Sequence, residues 1–253
     1  AAGIMTEADF NEDGSPKVPV FSSGSTYTPG DMKFVDVNGD GVIDDNDRTF
    51  IGNPNPDFYY GFNINMEYKG FDLSMFFQGV AGNEIYDVTR YFRYSNVSYS
   101  GGWENLNYLS FSNVSEDYFD KVWRPVPDPA NPSYRDHWGA NLNGTVPLPS
   151  SDGTKNEMNF RNSDFYIQDG SYLRLKNIQL GYTFPKKWVN KLSVSNLRVY
   201  ASATNLFTIT SYDGLDPEVG KTSGQESNNL YLGIDQGVYP QARSYMFGVI
   251  IDF

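Results

Sequence analysis

A chain of 253 residues with 31 acidic and 19 basic side chains carries a formal net charge of -12, which excludes the basic patch that nucleic-acid phosphates demand and leaves no Lys/Arg run for an anionic bilayer surface. It contains no cysteine, so there is neither a disulfide framework nor a thiolate metal site, and the redox compartment stays open. Hydrophobic residues make up 39% of the chain and no run reaches the roughly 18 apolar residues of a membrane helix, but a membrane barrel alternates instead, and 19 Tyr and 18 Phe suit its interfacial girdles.

Residues 1–56 read as a loop segment. Residues 1–31 are rich in Gly, Pro, Ser and Asp and show no period, and the start, Ala1-Ala2-Gly3-Ile4-Met5-Thr6, lacks the charged and apolar regions of a signal peptide. A short strand is expected at Met32 to Val35. Residues 36–47 then read D-V-N-G-D-G-V-I-D-D-N-D, a calcium-type loop in which Asp36, Asn38, Asp40, Asp44 and Asp47 offer side-chain oxygens, Val42 its carbonyl, and Gly41 the sharp turn. Five carboxylates in this loop, Asp36, Asp40, Asp44, Asp45 and Asp47, repel one another unless a cation neutralises them. A structural Ca²⁺ is therefore the expected ion, with Asp47 standing where such loops usually carry a longer Glu. Pro54 and Pro56 lead into the next element.

From residue 57 the apolar residues fall on every second place: Phe58, Tyr60, Phe62, Ile64, Met66 and Tyr68, then, after Lys69-Gly70, Phe71, Leu73, Met75 and Phe77. Period two is a strand signature, so 57–68 and 71–80 are predicted to form a hairpin. One face is apolar and aromatic. The other carries Asn63, Asn65, Ser74 and Gln78. The pattern dissolves over 81–170, a long connection holding Trp103, Trp123, Trp138 and the single histidine, His137. The tryptophans suit stacking on sugar rings, or anchoring of the loop's own fold or of an interface, and one histidine makes no metal site by itself. The sequons at Asn96, Asn113 and Asn143 carry no weight.

A third strand is expected at 171–184, where Ile178, Leu180, Tyr182 and Phe184 share a face. Leu173 and Leu175 sit in the opposite phase, so either a bulge resets the register or the strand projects above an apolar band with Tyr172, Arg174 and Lys176 continuing its outer face. The second needs no extra feature and is the simpler expectation. A turn with Trp188, an interfacial anchor, precedes a fourth strand at 196–207 with Leu197, Val199, Ala201 and Ala203 against Arg198, Tyr200, Ser202 and Thr204. Residues 208–243 are again polar loop. Tyr245, Phe247, Val249, Ile251 and Phe253 mark a fifth and closing strand at 244–253, paired with the fourth.

Connections alternate short and long, the asymmetry of outer-membrane barrels with short periplasmic turns and long outer loops. Setting Lys69-Gly70 in the periplasm puts 1–56, 81–170 and 208–243 outside. The expected lipid-facing set includes Phe62, Ile64, Leu73, Met75, Ile178, Leu180, Val199, Phe247 and Val249; Asn63, Asn65, Ser74, Gln78, Gln179, Arg198 and Ser202 face the lumen. Five strands cannot close a barrel or hide two edges, so the fold class is all-β, the C-terminal part of a larger antiparallel transmembrane barrel. A soluble calcium-stabilised β-sandwich that binds carbohydrate is the alternative. Enzyme motifs are missing: there is no H-E-x-x-H, no G-x-S-x-G and no dinucleotide fingerprint, so no catalytic residue is assigned.

The runs P-G-D-M-K-F-V-D-V-N-G-D-G-V-I-D-D-N-D-R-T-F-I-G-N-P-N-P-D-F from Pro29 and Y-K-G-F-D-L-S-M-F-F-Q-G-V-A-G-N-E-I-Y to Tyr86 resemble the C-terminal third of SusC/RagA-type TonB-dependent transporters. D-G-S-Y-L-R-L-K-N-I-Q-L-G-Y-T-F-P at Asp169 to Pro185 and N-L-R-V-Y-A-S-A-T-N-L-F-T at Asn196 to Thr208 are similar to the same family. The resemblance implies a barrel of about 22 strands with a plugged lumen, in the outer membrane of a Gram-negative bacterium. It further implies energy from TonB, import of oligosaccharides or peptides, and a SusD-like lipoprotein lid, with the plug and the TonB-contacting segment upstream of these residues.

Overall fold

The computed structural model describes residues 1–21, 27–94, 116–130, 138–148, 155, 158–190, 194–219 and 232–253. Five long strands dominate: β1 Phe58–Tyr68, β2 Phe71–Ala81, β3 Tyr172–Thr183, β4 Asn196–Thr204 and β5 Ser244–Asp252. They form one antiparallel sheet in the order β5-β4-β3-β2-β1, with Thr208–Thr210 pairing β3 beside it. β1 and β5 are its edges, and among the described residues neither pairs with a further strand. No described helix is long and apolar enough to cross a membrane.

Lys69 and Gly70 close the β1–β2 hairpin with φ of 46° and 88°. Two left-handed residues in a two-residue loop match the right-handed twist of the strands they join. The register then sorts side chains by face. Phe62 opposes Phe77 with rings stacked at 4.7 Å, Phe71 opposes Tyr182 at 4.5 Å, and Val199 opposes Tyr182 and Val249. On the other face Asn63 opposes Phe76, Ser74 opposes Gln179, and Ser202 opposes Gln179 and Met246. Phe247 is 81% exposed and Phe58 57% exposed, the reverse of a soluble core.

The register also corrects the reading of β3. Phe76 pairs with Asn177 but Phe77 pairs with Leu175, so Lys176 is an extra residue and the strand bulges. A one-residue slip exchanges the faces of everything beyond it. Leu173 and Leu175 therefore join Ile178 and Leu180 on the apolar face, while Tyr172 and Arg174 turn to the polar one. The projecting strand with Tyr172 and Arg174 on its outer face is not what forms. The neighbouring strand breaks at the same level: Asn205 has φ 50°, which ends β4 at Thr204 instead of Phe207. The N–H groups of Asn205 and Leu206 donate to the carbonyls of Lys176 and Leu175 at 3.1 Å. The backbone thus stays paired across the irregularity.

Two compact units are present, 1–51 with 88–166, and 52–87 with 167–253. The second holds the long sheet and a small one made by Glu84–Asp87, Ile167–Asp169 and Ile234–Asp235. The first contradicts its own lack of period. Segments 1–51 and 88–166 share a core in which Tyr94, Tyr118, Val122, Val146 and Phe160 form one cluster and Met5, Phe21, Tyr27, Ile43 and Met158 another. Its strands are short: Gly3–Ile4 pairs with Met32–Lys33, which stops before Val35, and Val20–Phe21 pairs with Val42–Ile43. Asn159 ties the two segments together, accepting from the Met32 N–H at 2.8 Å and donating to Asp31 at 2.9 Å.

Candidate functional site

The acidic loop is built from backbone turns that its own side chains cap. Gly39 and Gly41 take φ of 77° and 88°, a region glycine enters without a Cβ clash. The Asp36 carboxylate accepts from the Gly39 N–H at 2.6 Å and the Gly41 N–H at 2.8 Å. Asn38 accepts from the Asp40 N–H and Asp40 from the Val42 N–H, each at 2.9 Å. Asp44 accepts from the Asn46 N–H at 2.7 Å. Asp47 closes the loop, accepting from the N–H groups of Asp44 at 2.8 Å and Val37 at 2.7 Å. These donors, the Asp44 N–H foremost, hold the Asp47 carboxyl below the usual aspartate range. Val42–Ile43 pins the loop to Val20–Phe21, with Ile43 buried. Asp45 points away to Arg48 at 2.8 Å. Oxygens of all six expected residues lie on one short loop, yet among the described residues no three acidic or histidine groups converge as an ion cage, because these carboxylates face backbone amides.

The polar face of the sheet carries a second arrangement. Arg198 reaches across β3 to Asp72, its Nε donating at 3.1 Å and its other nitrogen completing the fork. Gly181 lies beneath the pair, and a Cβ there would come within 2.5 Å of both the guanidinium and the carboxylate. Gly248 likewise leaves room for the Tyr200 ring. This face is mostly a wall of hydrogen-bonding groups, with Phe76, Met246 and Ile250 exposed among them.

The arrangement that sequence reasoning missed sits above the bulge. Arg174 is 2% exposed, and its guanidinium donates to Thr208 at 2.8 Å, to Glu218 at 2.8 Å and to Asp216. Lys176 adds two bonds to Glu218, at 2.9 and 2.7 Å. Burial pushes the Asp216 carboxyl up, but the Gln241 N–H, the Arg174 guanidinium and the Glu218 N–H outweigh it and hold the group below its usual range. The signal was the pair of cations inside an apolar strand. Their partners, 42 and 44 residues away from Arg174, carry no pattern of their own.

Of the loop tryptophans, Trp123 is buried against Ile4 and Met32, which makes it an anchor of the loop's own fold. Trp138 meets Phe119 edge to face at 5.2 Å. Trp103, His137, Asn96 and Asn113 lie outside the described residues.

No family model matches the chain. It is 33% identical over 226 residues to "TonB-dependent receptor P3" of Formosa agariphila, covering 89% of this chain and 19% of that protein. It is also 32% identical over 227 residues to "TonB-dependent receptor SusC" of Bacteroides thetaiotaomicron, covering 89% and 18%. The chain belongs to the SusC-type TonB-dependent receptors. Its outer-membrane location in a Gram-negative bacterium follows from that membership, and it spans about a fifth of the length of these receptors. The fold of this receptor segment matches solved structures of the RagAB peptide importer. The "closed-closed" state gives a TM-score of 0.52 at 19% identity, over 96% of this chain and 20% of that one. The "open-open" state gives 0.50 at 22% identity, over 79% and 17%.

Proposed function

We propose that this segment supplies the last five strands and associated outer loops of a TonB-driven importer for oligosaccharides or peptides, working under a SusD-like lipoprotein lid. The observation that carries this is the two-faced sheet: aromatic and aliphatic side chains stand exposed on one side, mostly hydrogen-bonding groups on the other, and among the described residues both edges are open. Lipid satisfies the first face, a water-filled lumen the second, and the remaining barrel strands the edges. Asn63, Asn65, Ser74, Gln78, Gln179, Arg198 and Ser202 then line the lumen. The RagAB neighbours bear the name of a peptide importer, which supports the peptide class. The plug and the TonB contact belong to the remainder of the receptor.

The acidic loop, in the same reading, takes a structural Ca²⁺ through Asp36, Asn38, Asp40, Asp44, Asp47 and the Val42 carbonyl. The one-six geometry of Asp36 and the Gly41 N–H supports it, since that turn brings a calcium loop round its ion.

Deleting the receptor gene should abolish uptake of an oligosaccharide or peptide that the parent strain imports in a TonB-dependent manner. The full-length protein should require detergent for extraction and migrate on gels as a heat-modifiable band. A monomer of these 253 residues soluble without detergent would end the reading and favour the calcium-stabilised sandwich.

A further inference from the structure

Arg174 is buried on the polar face of β3, to which the bulge turns it, with its guanidinium fully engaged. We propose that Arg174 is a latch that keeps the segment 210–219 folded onto the polar face of the sheet, making it a fixed part of the wall that a passing solute meets. The wall's role rests on the importer reading; the latch does not.

The latch is assembled from both sides. The extra residue of the bulge, Lys176, brings its ammonium to Glu218 while Arg174 takes Thr208, Asp216 and Glu218. Asp216 returns the hold to the backbone by accepting from the N–H groups of Glu218 and Gln241, both at 2.9 Å. The other flank of the segment is tied down separately. The Ser211 hydroxyl donates to Asp169 at 3.1 Å, the Tyr212 hydroxyl to Asp235 at 2.6 Å, and the Asp213 N–H to Gln168 at 3.0 Å. Gly214 lets the turn close, because a Cβ there would overlap the Tyr212 ring. Between these two ties Leu215 is left 69% exposed. Opening the segment would break the charge-assisted bonds of Arg174 and Lys176 together, so this one stays and presents Leu215 in a constant place. Arg174 is a positioning residue, acting through the segment it holds.

The test uses the full-length receptor, with Leu215→Cys placing one thiol on a segment that has none. On intact cells a small maleimide labels Leu215→Cys, and a bulky polymer-coupled maleimide labels it at least about tenfold more slowly because the latched segment keeps the thiol against the lumen wall, beyond the polymer's reach, and rarely opens to release it. Adding Arg174→Met brings the two rates together, whereas Arg174→Lys keeps a difference between them. Equal rates with the latch intact, or an unchanged difference in Arg174→Met, would overturn the proposal. Heat-modifiable migration checks that each variant inserts, with Asp216→Asn as the milder second variant. Hydrogen exchange of the purified parent receptor stands apart from any variant: the Glu218 and Gln241 amides exchange slowly if the latch is closed, and fast exchange refutes it. Labelling by neither reagent until cells are lysed would count against the importer reading, leaving exchange to judge the latch.

Discussion

The long sheet and the unit formed by 1–51 with 88–166 solve opposite problems with the same amino acids. In the sheet the large apolar residues stand outward, with Tyr245, Phe247 and Val249 all exposed, while the loop-rich unit buries Met5, Tyr94, Val122 and Trp123 almost completely. Regular secondary structure is where this chain keeps its oil outside, and irregular backbone is where it builds a water-protected core. The difference teaches that the two regions are designed for different solvents. A residue's contribution therefore depends on which solvent surrounds its region.

The largest effect should come from the irregular unit. Trp123→Ala removes a ring packed between Ile4 and Met32 and should cost about 3–5 kcal/mol, read as loss of protease resistance of that unit in the detergent-solubilised receptor. Phe247→Ala, of comparable chemistry on the outer face, should leave that resistance unchanged; equal losses would erase the contrast.

Charge placed on the sheet sharpens it further. Ile64→Lys should cost about 2–4 kcal/mol near the bilayer midplane and Asn63→Lys little, measured by equilibrium folding into lipid vesicles. Similar costs at the two neighbours would mean that both faces are wet.

A smaller effect is expected in the acidic loop. Calcium should bind the intact receptor, and Asp47→Glu, with an arm long enough for bidentate contact, should lower Kd by about tenfold, ~1.4 kcal/mol. A titration showing no heat and no calcium-dependent protection with either residue would remove the ion.

The smallest effect is a pH dependence. Asp47 is held below its ordinary 3.8 by N–H donors, so the support it gives the loop is complete above that pH and is lost only as pH falls through the lower folded-state value. Protection of the Asp44 and Val37 amides, taken relative to the intrinsic exchange rate at each pH, should fall below pH 3.8 and hold from there to neutrality. Protection already lost at pH 5 would contradict the shift.

How much of this was visible beforehand follows from range. Alternation at Phe58 to Tyr68 and Phe71 to Phe77 reports local geometry, since neighbouring side chains must leave a strand on opposite sides, and the faces could be assigned from residues two apart. The phase change at Leu173 and Leu175 was also visible, but choosing between a bulge and a projecting strand needed the partner strand, where Phe76 and Phe77 skip Lys176. The irregular unit was invisible because its halves are separated by the hairpin and joined through contacts far apart in sequence, such as Met158 to the cluster of Met5 and Phe21 and Asn159 to Asp31. Arg174 was legible as an anomaly and illegible as a latch. The spacing of the acidic loop was plain, whereas the engagement of its carboxylates by backbone amides appears only when the turns are built.

The left-handed pair Lys69 and Gly70 bears on the order of assembly. Closing that two-residue turn brings Phe71–Ala81 beside Phe58–Tyr68 at almost no loop-closure cost. By contrast, β3 must find β2 across residues 82–171, and β5 must find β4 across residues 205–243. Contacts that are near in sequence form earliest. The hairpin is then the nucleus of this part of the wall, and the join between Phe71–Ala81 and Tyr172–Thr183 is its slow step. Lengthening the turn by a few flexible residues should delay the appearance of folded receptor more than it lowers the final amount.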